Sequence, residues 1–361
     1  MRKYKIAIGS IIVEGPWGGG NLFVKNLWNY LNKEQFIVVN DLSENDIDLI
    51  LLTEPRFESR SSSITSMEAW FYKKFINKNV KIVQRINECD ERKNTNYVND
   101  RIVKINKKVD HTIYVSEWLK SIYKEYGLDQ SKSSVILSGS DKKIFNNNGF
   151  KPKSETEKAK LVTHHWGNDW NKGFTIYKKI DDLIDNEKYS DRLEFVYIGN
   201  VPKNFQFKNT KLIEPLSGQR LASEIKKNNI YITASINEPS GNHHIEGALC
   251  GLPVLYLNSG GIPEYCEEYG VMFEENNFEQ QLNEIIDNYT IYYKKNLQYK
   301  HDSDRMCLEY KNLFLKILIG SEVKKSSFKL NIFKFKLTKI LTKIIKNIFM
   351  RIEYQFRKIS K

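Results

Sequence analysis

One stretch, Ile230 to Glu264, most constrains what this chain can fold into. Ile230-Tyr231-Ile232-Thr233-Ala234 is an apolar, strand-like run. A polar loop follows, carrying Glu238 and Gly241, then a small-residue helix over 243–250 with Glu246 about one turn inside it. Val254-Leu255-Tyr256-Leu257 is a second strand, and Gly260-Gly261 turns away from it. Strand, loop, helix, strand, loop belongs to an α/β fold with a parallel sheet. In such open sheets ligands bind outside the carboxyl ends of the strands, which is where Glu238 falls.

The chemistry of the loop is legible residue by residue. The amides of Asn242, His243 and His244 fall at the start of the helix, where unpaired N–H groups and the helix dipole favour a phosphate. Gly241 allows close backbone approach. Glu238 and Glu246 each accept hydrogen bonds from vicinal hydroxyls, so the pair can hold two polyols, one on each side of a phosphate. An isolated pair of this kind is more often a helix cap and a solvated face; the surrounding string weighs against that. His243 and His244 stand on the same loop, either as capping polarity or as ring N–H donors to phosphate or sugar.

That string resembles the donor-binding signature of retaining glycosyltransferase family 4, the "glycosyl transferases group 1" of GT-B fold. The matching positions are Glu238, Gly241, Glu246, Ala248, Gly251, Pro253, Val254, Gly260, Gly261 and Glu264. The resemblance covers about residues 5–318 and is strongest over 161–266. It implies two Rossmann-like domains facing across a cleft, with Glu238 on donor-sugar hydroxyls and Glu246 on the ribose. It also implies no metal and no resident cofactor, the nucleotide-diphosphate sugar being a co-substrate.

Length agrees with two domains, since 361 residues exceed what a single core usually supports. The expected division is 1–148 for an acceptor-side domain, 149–160 for a linker rich in Asn, Lys, Pro, Ser and Glu, and 161–300 for a nucleotide-sugar domain. The resemblance implies that a helix over 301–320 returns toward the first domain, and 321–361 is a separate tail. Four cysteines, Cys89, Cys250, Cys266 and Cys307, show no metal-type pairing and read as reduced thiols in a cytoplasmic protein. Neither a signal peptide nor a membrane span is expected from the apolar runs.

Along the first domain, residues 4–9, 48–53, 81–86 and 110–116 read as buried strands. After the first of them, Glu14-Gly15-Pro16-Trp17-Gly18-Gly19-Gly20-Asn21 is a Gly-rich turn into a helix, and the resemblance places Gly19 and Gly20 against the donor diphosphate. After Lys81–Ile86 comes Asn87-Glu88-Cys89-Asp90-Glu91-Arg92-Lys93, either a solvated face or the acceptor side of the cleft. On the second reading Arg85, Asn87, Glu88 and Asp90 are the acceptor-side candidates. Many members of the family have a cleft histidine nearby; this chain has none there. His111 is expected to be structural.

The second domain opens with His164-His165-Trp166-Gly167-Asn168-Asp169-Trp170-Asn171-Lys172-Gly173. The family has an Arg and then Lys-Gly here, both basic residues on the diphosphate. Lys172-Gly173 matches and the Arg is absent, so either charge compensation is weaker or His165 supplies a donor. His164, His165 and Asp169 lack a third ligand at a usual spacing and are not expected to bind metal. His301-Asp302-Ser303-Asp304 reads as a surface turn.

The tail follows a different logic. Twelve Lys or Arg against Glu322 and Glu353 make 321–361 carry 12 − 2 = +10 of the chain's +12. Apolar residues recur at three and four, with Lys336, Lys339, Lys343 and Lys346 between them. Such a basic amphipathic helix suits the surface of an anionic membrane better than nucleic acid. The expectation is therefore a retaining glycosyltransferase at the inner face of the plasma membrane, acting on a glycan or lipid-linked acceptor in bacterial envelope polysaccharide synthesis. The alternatives are a non-catalytic GT-B binding subunit, a nucleic-acid-binding protein using the basic tail and, more weakly, a GT-B epimerase.

Overall fold

The computed structural model describes residues 3–13, 19–34, 36–53, 61–319 and 340. Two parallel sheets, six strands each among these residues, form the body. The first contains β1 Tyr4–Ile8, β2 Phe36–Val39, β3 Leu49–Leu52, β4 Lys81–Ile86, β5 His111–Tyr114 and β6 Ser133–Val135, in the order β2-β1-β3-β4-β5-β6. The second contains β7 Ala159–His165, β8 Leu193–Gly199, β9 Lys211–Ile213, β10 Ile230–Thr233, β11 Val254–Leu257 and β12 Gly270–Phe273, in the order β12-β11-β10-β7-β8-β9. Central strands are apolar throughout because helices cover both sheet faces: Leu49–Leu52 and Val254–Leu257 are buried at every position.

Strand order decides where a ligand can sit. Each sheet reverses direction once, between β1 and β3 in the first and between β7 and β10 in the second. The loops leaving adjacent strands part at such a reversal and leave a crevice at the strands' carboxyl ends. The Gly19–Asn32 helix follows β1, Lys172 follows β7 and Glu238 follows β10, so all three belong to the two switch points.

The Ser303–Leu318 helix starts where the Asp302 side chain accepts the Arg305 amide at 2.8 Å. Met306, Cys307, Tyr310, Phe314 and Leu318 then join the core beneath the first sheet, and Tyr310 packs against Phe23 at 5.1 Å between ring centroids. His301 is buried rather than in a surface turn, with Arg305 2.8 Å from its Nδ1. The two domains also bond directly. The Glu264 carboxylate accepts the amides of Glu117 and Trp118 at 2.7 and 2.8 Å, at the start of the Glu117–Glu125 helix of the first domain. The Tyr265 hydroxyl donates to the Val115 carbonyl at 2.6 Å. The tail, with Lys336, Lys339, Lys343 and Lys346, lies outside the described residues apart from Ile340.

Candidate active site

Glu238 is the centre of the site. Asn237, in the left-handed region at φ 51°, turns the chain after β10 and drops Glu238 into the cleft. Gly260 and Gly261 hold it there: the Gly261 amide donates to the Glu238 carbonyl at 2.9 Å. Gly260 has φ +65°, and a Cβ on it would meet the Glu238 backbone at 2.5 Å. The carboxylate is buried and faces two cations. Lys172 Nζ donates to Oε2 at 2.7 Å, and Arg92 Nε is 2.9 Å from Oε1. Burial pushes the Glu238 pKa up, but Lys172 and Arg92 outweigh it and hold the group at about 2.

Lys172 is delivered by a tight 3₁₀ turn, Trp170–Lys172, ended by Gly173 at φ +103°. A Cβ on Gly173 would strike Ala234 at 2.6 Å, so the Lys-Gly pair is a packing requirement as much as a charge motif. Arg92 comes from the other domain, on the short Asp90–Lys93 helix after β4. The sequence marks its neighbours Asn87, Glu88 and Asp90 as candidates, but not Arg92 itself. The signal was present, in two cations at the end of a charged run at a strand's carboxyl end, but a run of that kind names no partner.

Glu246 lies deeper, in the His243–Leu249 helix. His164 Nε2 shares a hydrogen bond with its Oε2 at 2.9 Å, and His164 Nδ1 meets the Tyr231 hydroxyl at 3.0 Å. The Ser140 hydroxyl approaches Oε1 at 3.5 Å. His243 shares a bond with Thr233 Oγ1 at 2.7 Å, under Gly241, whose φ of +69° and contact with His243 leave no room for a side chain. His165, expected among the donor contacts, is turned into the aromatic core, with Nε2 2.8 Å from the Tyr177 hydroxyl. Burial, reinforced by Lys172, holds it neutral, so it cannot replace a missing cation. His244 is fully buried with neither ring nitrogen partnered, and burial lowers its pKa to about 3.

The start of the Gly19–Asn32 helix meets this wall. Gly19 lies close enough to Asn242 that a Cβ would sit 3.2 Å from Nδ2, while Gly20 faces open space. The acceptor-side candidates separate. Arg85, Asn87 and Glu88 border a cleft shared with Thr53, Gln84 and Arg101. Arg85 itself is buried, its guanidinium 4.0 Å over the Phe23 ring. Asp90 is taken up by the chain: its carboxylate accepts the Thr95 hydroxyl and the amides of Tyr97, Val98 and Asn99, at the start of the Val98–Asn106 helix. Burial opposes its ionisation, but those four donors prevail and lower its pKa. No group of His, Cys, Asp or Glu among the described residues is arranged to hold a metal ion.

Residues 178–300 match the family model "Glycosyl transferases group 1". No curated protein matches by sequence. A glycosyltransferase from Rickettsia africae superposes with a TM-score of 0.63, over 89% of this chain and 100% of its own, at 16% identity. Sucrose-phosphate synthase from Thermosynechococcus elongatus gives 0.67, over 88% and 100%, at 12% identity. Anabaena HepE, solved with UDP and glucose, gives 0.60, over 87% and 99%, at 13% identity. The expectations of an α/β GT-B architecture and of a glycosyltransferase are borne out at this level. The chain has the GT-B fold, and its second domain carries the glycosyl transferases group 1 match.

Proposed function

We propose that the chain is a retaining, family 4-type glycosyltransferase that moves a sugar from a nucleotide-diphosphate donor to an acceptor hydroxyl. The observation that carries this reading is Glu238: an ionised, buried carboxylate at the β7/β10 switch point, beside Lys172, with Gly19 against Asn242 four residues further on. Glu238 would accept donor-sugar hydroxyls, Glu246 the ribose hydroxyls, and Lys172 the charge developing on the leaving diphosphate. A front-side displacement needs no side-chain nucleophile. HepE was solved with UDP and glucose, which makes uridine diphosphate sugars the first donors to try.

The cleft bordered by Asn87, Glu88 and Arg101 is the proposed acceptor side. An acceptor at the inner membrane face, in envelope polysaccharide synthesis, is a proposal from the basic amphipathic sequence of 321–361 alone. No helix among the described residues is long and apolar enough to cross a membrane. The test is a thermal-shift screen of nucleotide sugars, since a ligand at ~100 times its Kd stabilises the folded state by about 2.7 kcal/mol. A hit that turns over, and whose turnover vanishes in Glu246→Ala, supports the enzyme; tight binding without turnover in any acceptor mixture sinks it. Separately, a chain ending near residue 320 that still bound anionic liposomes would remove the membrane role from the tail.

A further inference from the structure

Arg92 belongs to the first domain, yet its guanidinium and the backbone beside it are docked on the second. Its Nε is 2.9 Å from Glu238 Oε1. Asn237 Nδ2 donates to the Glu91 carbonyl at 3.3 Å, and Asn171 Nδ2 to the Arg92 carbonyl at 3.4 Å. Lys172 occupies the other Glu238 oxygen at 2.7 Å. Two cations therefore share one carboxylate in a largely buried place, and the charges of Glu88 and Asp169 also act on Arg92. A guanidinium and an ammonium that approach one point from opposite walls of a cleft fit a group with several negatively charged oxygens, which a planar donor fork binds in pairs.

Resting on the donor reading above, we infer that Arg92 is the second cation of the donor-diphosphate subsite, supplied by the first domain. Diphosphate oxygens draw Arg92 and Lys172 from Glu238, and the freed carboxylate then accepts sugar hydroxyls. Because Lys172 and Arg92 stand on different domains, only a closed cleft presents both cations. Donor binding and domain approach thereby become one event.

The experiment measures Kd for UDP, ADP and GDP, each beside its monophosphate, in the full chain and in Arg92→Met, Arg92→Lys and Glu238→Gln. Arg92→Met is expected to weaken the preferred diphosphate roughly ten- to hundredfold, the loss of one charge-assisted contact, and its monophosphate less than threefold. Arg92→Lys should fall between, keeping the charge without the fork. Glu238→Gln removes the competing anion and should tighten the free diphosphate several-fold. Glu238→Gln alone carries the test if Arg92→Met does not fold. Unchanged diphosphate affinity in a folded Arg92→Met, or weaker binding in Glu238→Gln, overturns the inference and leaves the donor reading standing. If the unaltered chain binds none of the three diphosphates, the donor reading fails and the inference falls with it.

Discussion

Glu238 and His244 lie six positions apart, both buried, and their surroundings are opposite. Glu238 has a cation on each oxygen. His244 has two ring nitrogens and a partner for neither, with Tyr265 and His243 packed around the ring. The comparison separates two ways of burying a titratable group. The carboxylate stays charged because Lys172 and Arg92 outweigh its desolvation. The imidazole stays neutral because the pull of Glu238 does not repay the loss of water. Around it His165 and His243 are held well below their ordinary range by burial, and His301 at about 4. This wall of the cleft is thus an ionised carboxylate lying against a layer of neutral rings.

The largest expected effect comes from that layer. These four histidines have folded pKa values below 6.5, so below that pH the unfolded chain binds protons that the folded chain refuses. Stability is fully present above 6.5 and falls as pH drops through it, by up to ~1.4 kcal/mol per group per pH unit. Together that is about 4 kcal/mol between pH 6.5 and 5.5, a large part of what a domain usually has. Glu238 acts in a lower window, since its stabilisation is lost only as pH falls from 4.5 toward about 2. Urea unfolding at pH 7.5, 6.5 and 5.5 checks the order. A midpoint that held steady to pH 5.5 would break the account of the neutral layer.

Next in size is Lys172→Met. It leaves Glu238 buried with Arg92 as its remaining cation, and breaking one side of a buried pair costs about 3 kcal/mol. The loss should appear in urea unfolding at pH 7.5, and transfer should fall by roughly 10²–10³ if Lys172 meets the leaving diphosphate. A variant as stable as the parent would mean that Arg92 alone satisfies Glu238.

Much of this arrangement was legible in the sequence, and the exceptions have physical causes. Central strands such as Leu49–Leu52 and Ile230–Thr233 announce themselves because every side chain is buried. Phe36–Val39 and Gly270–Phe273 went unrecognised: both are four-residue edge strands, alternately covered and exposed, and their apolar signal is correspondingly thin. In the site, Glu238, Lys172 and the Gly260-Gly261 turn are marked by local spacing. Arg92 is not, because its meaning depends on a carboxylate 146 positions away on another domain. His165 misled for the opposite reason: neighbours in sequence point to opposite sides of a strand, so His164 reaches Glu246 while His165 enters the core. Asp90 reads as cleft chemistry in a charged run, yet its four donors are the chain's own.

The smallest effect gives the sharpest reading of His244. In His244→Phe a ring of similar shape replaces one that makes no hydrogen bond, among Tyr265 and His243. An unsatisfied buried polar group costs ~1–3 kcal/mol, so the variant should gain about 1 kcal/mol at pH 7.5 after imperfect packing is allowed for. It should also lose about a quarter of the acid slope, being one of four similar contributors. Destabilisation would mean that water or a neighbour satisfies the imidazole in solution. A stabilised variant with weakened nucleotide binding would be more telling. The two ring nitrogens would then belong to the ligand, and the missing bonds would be a part of the site that the fold maintains at the expense of its own stability.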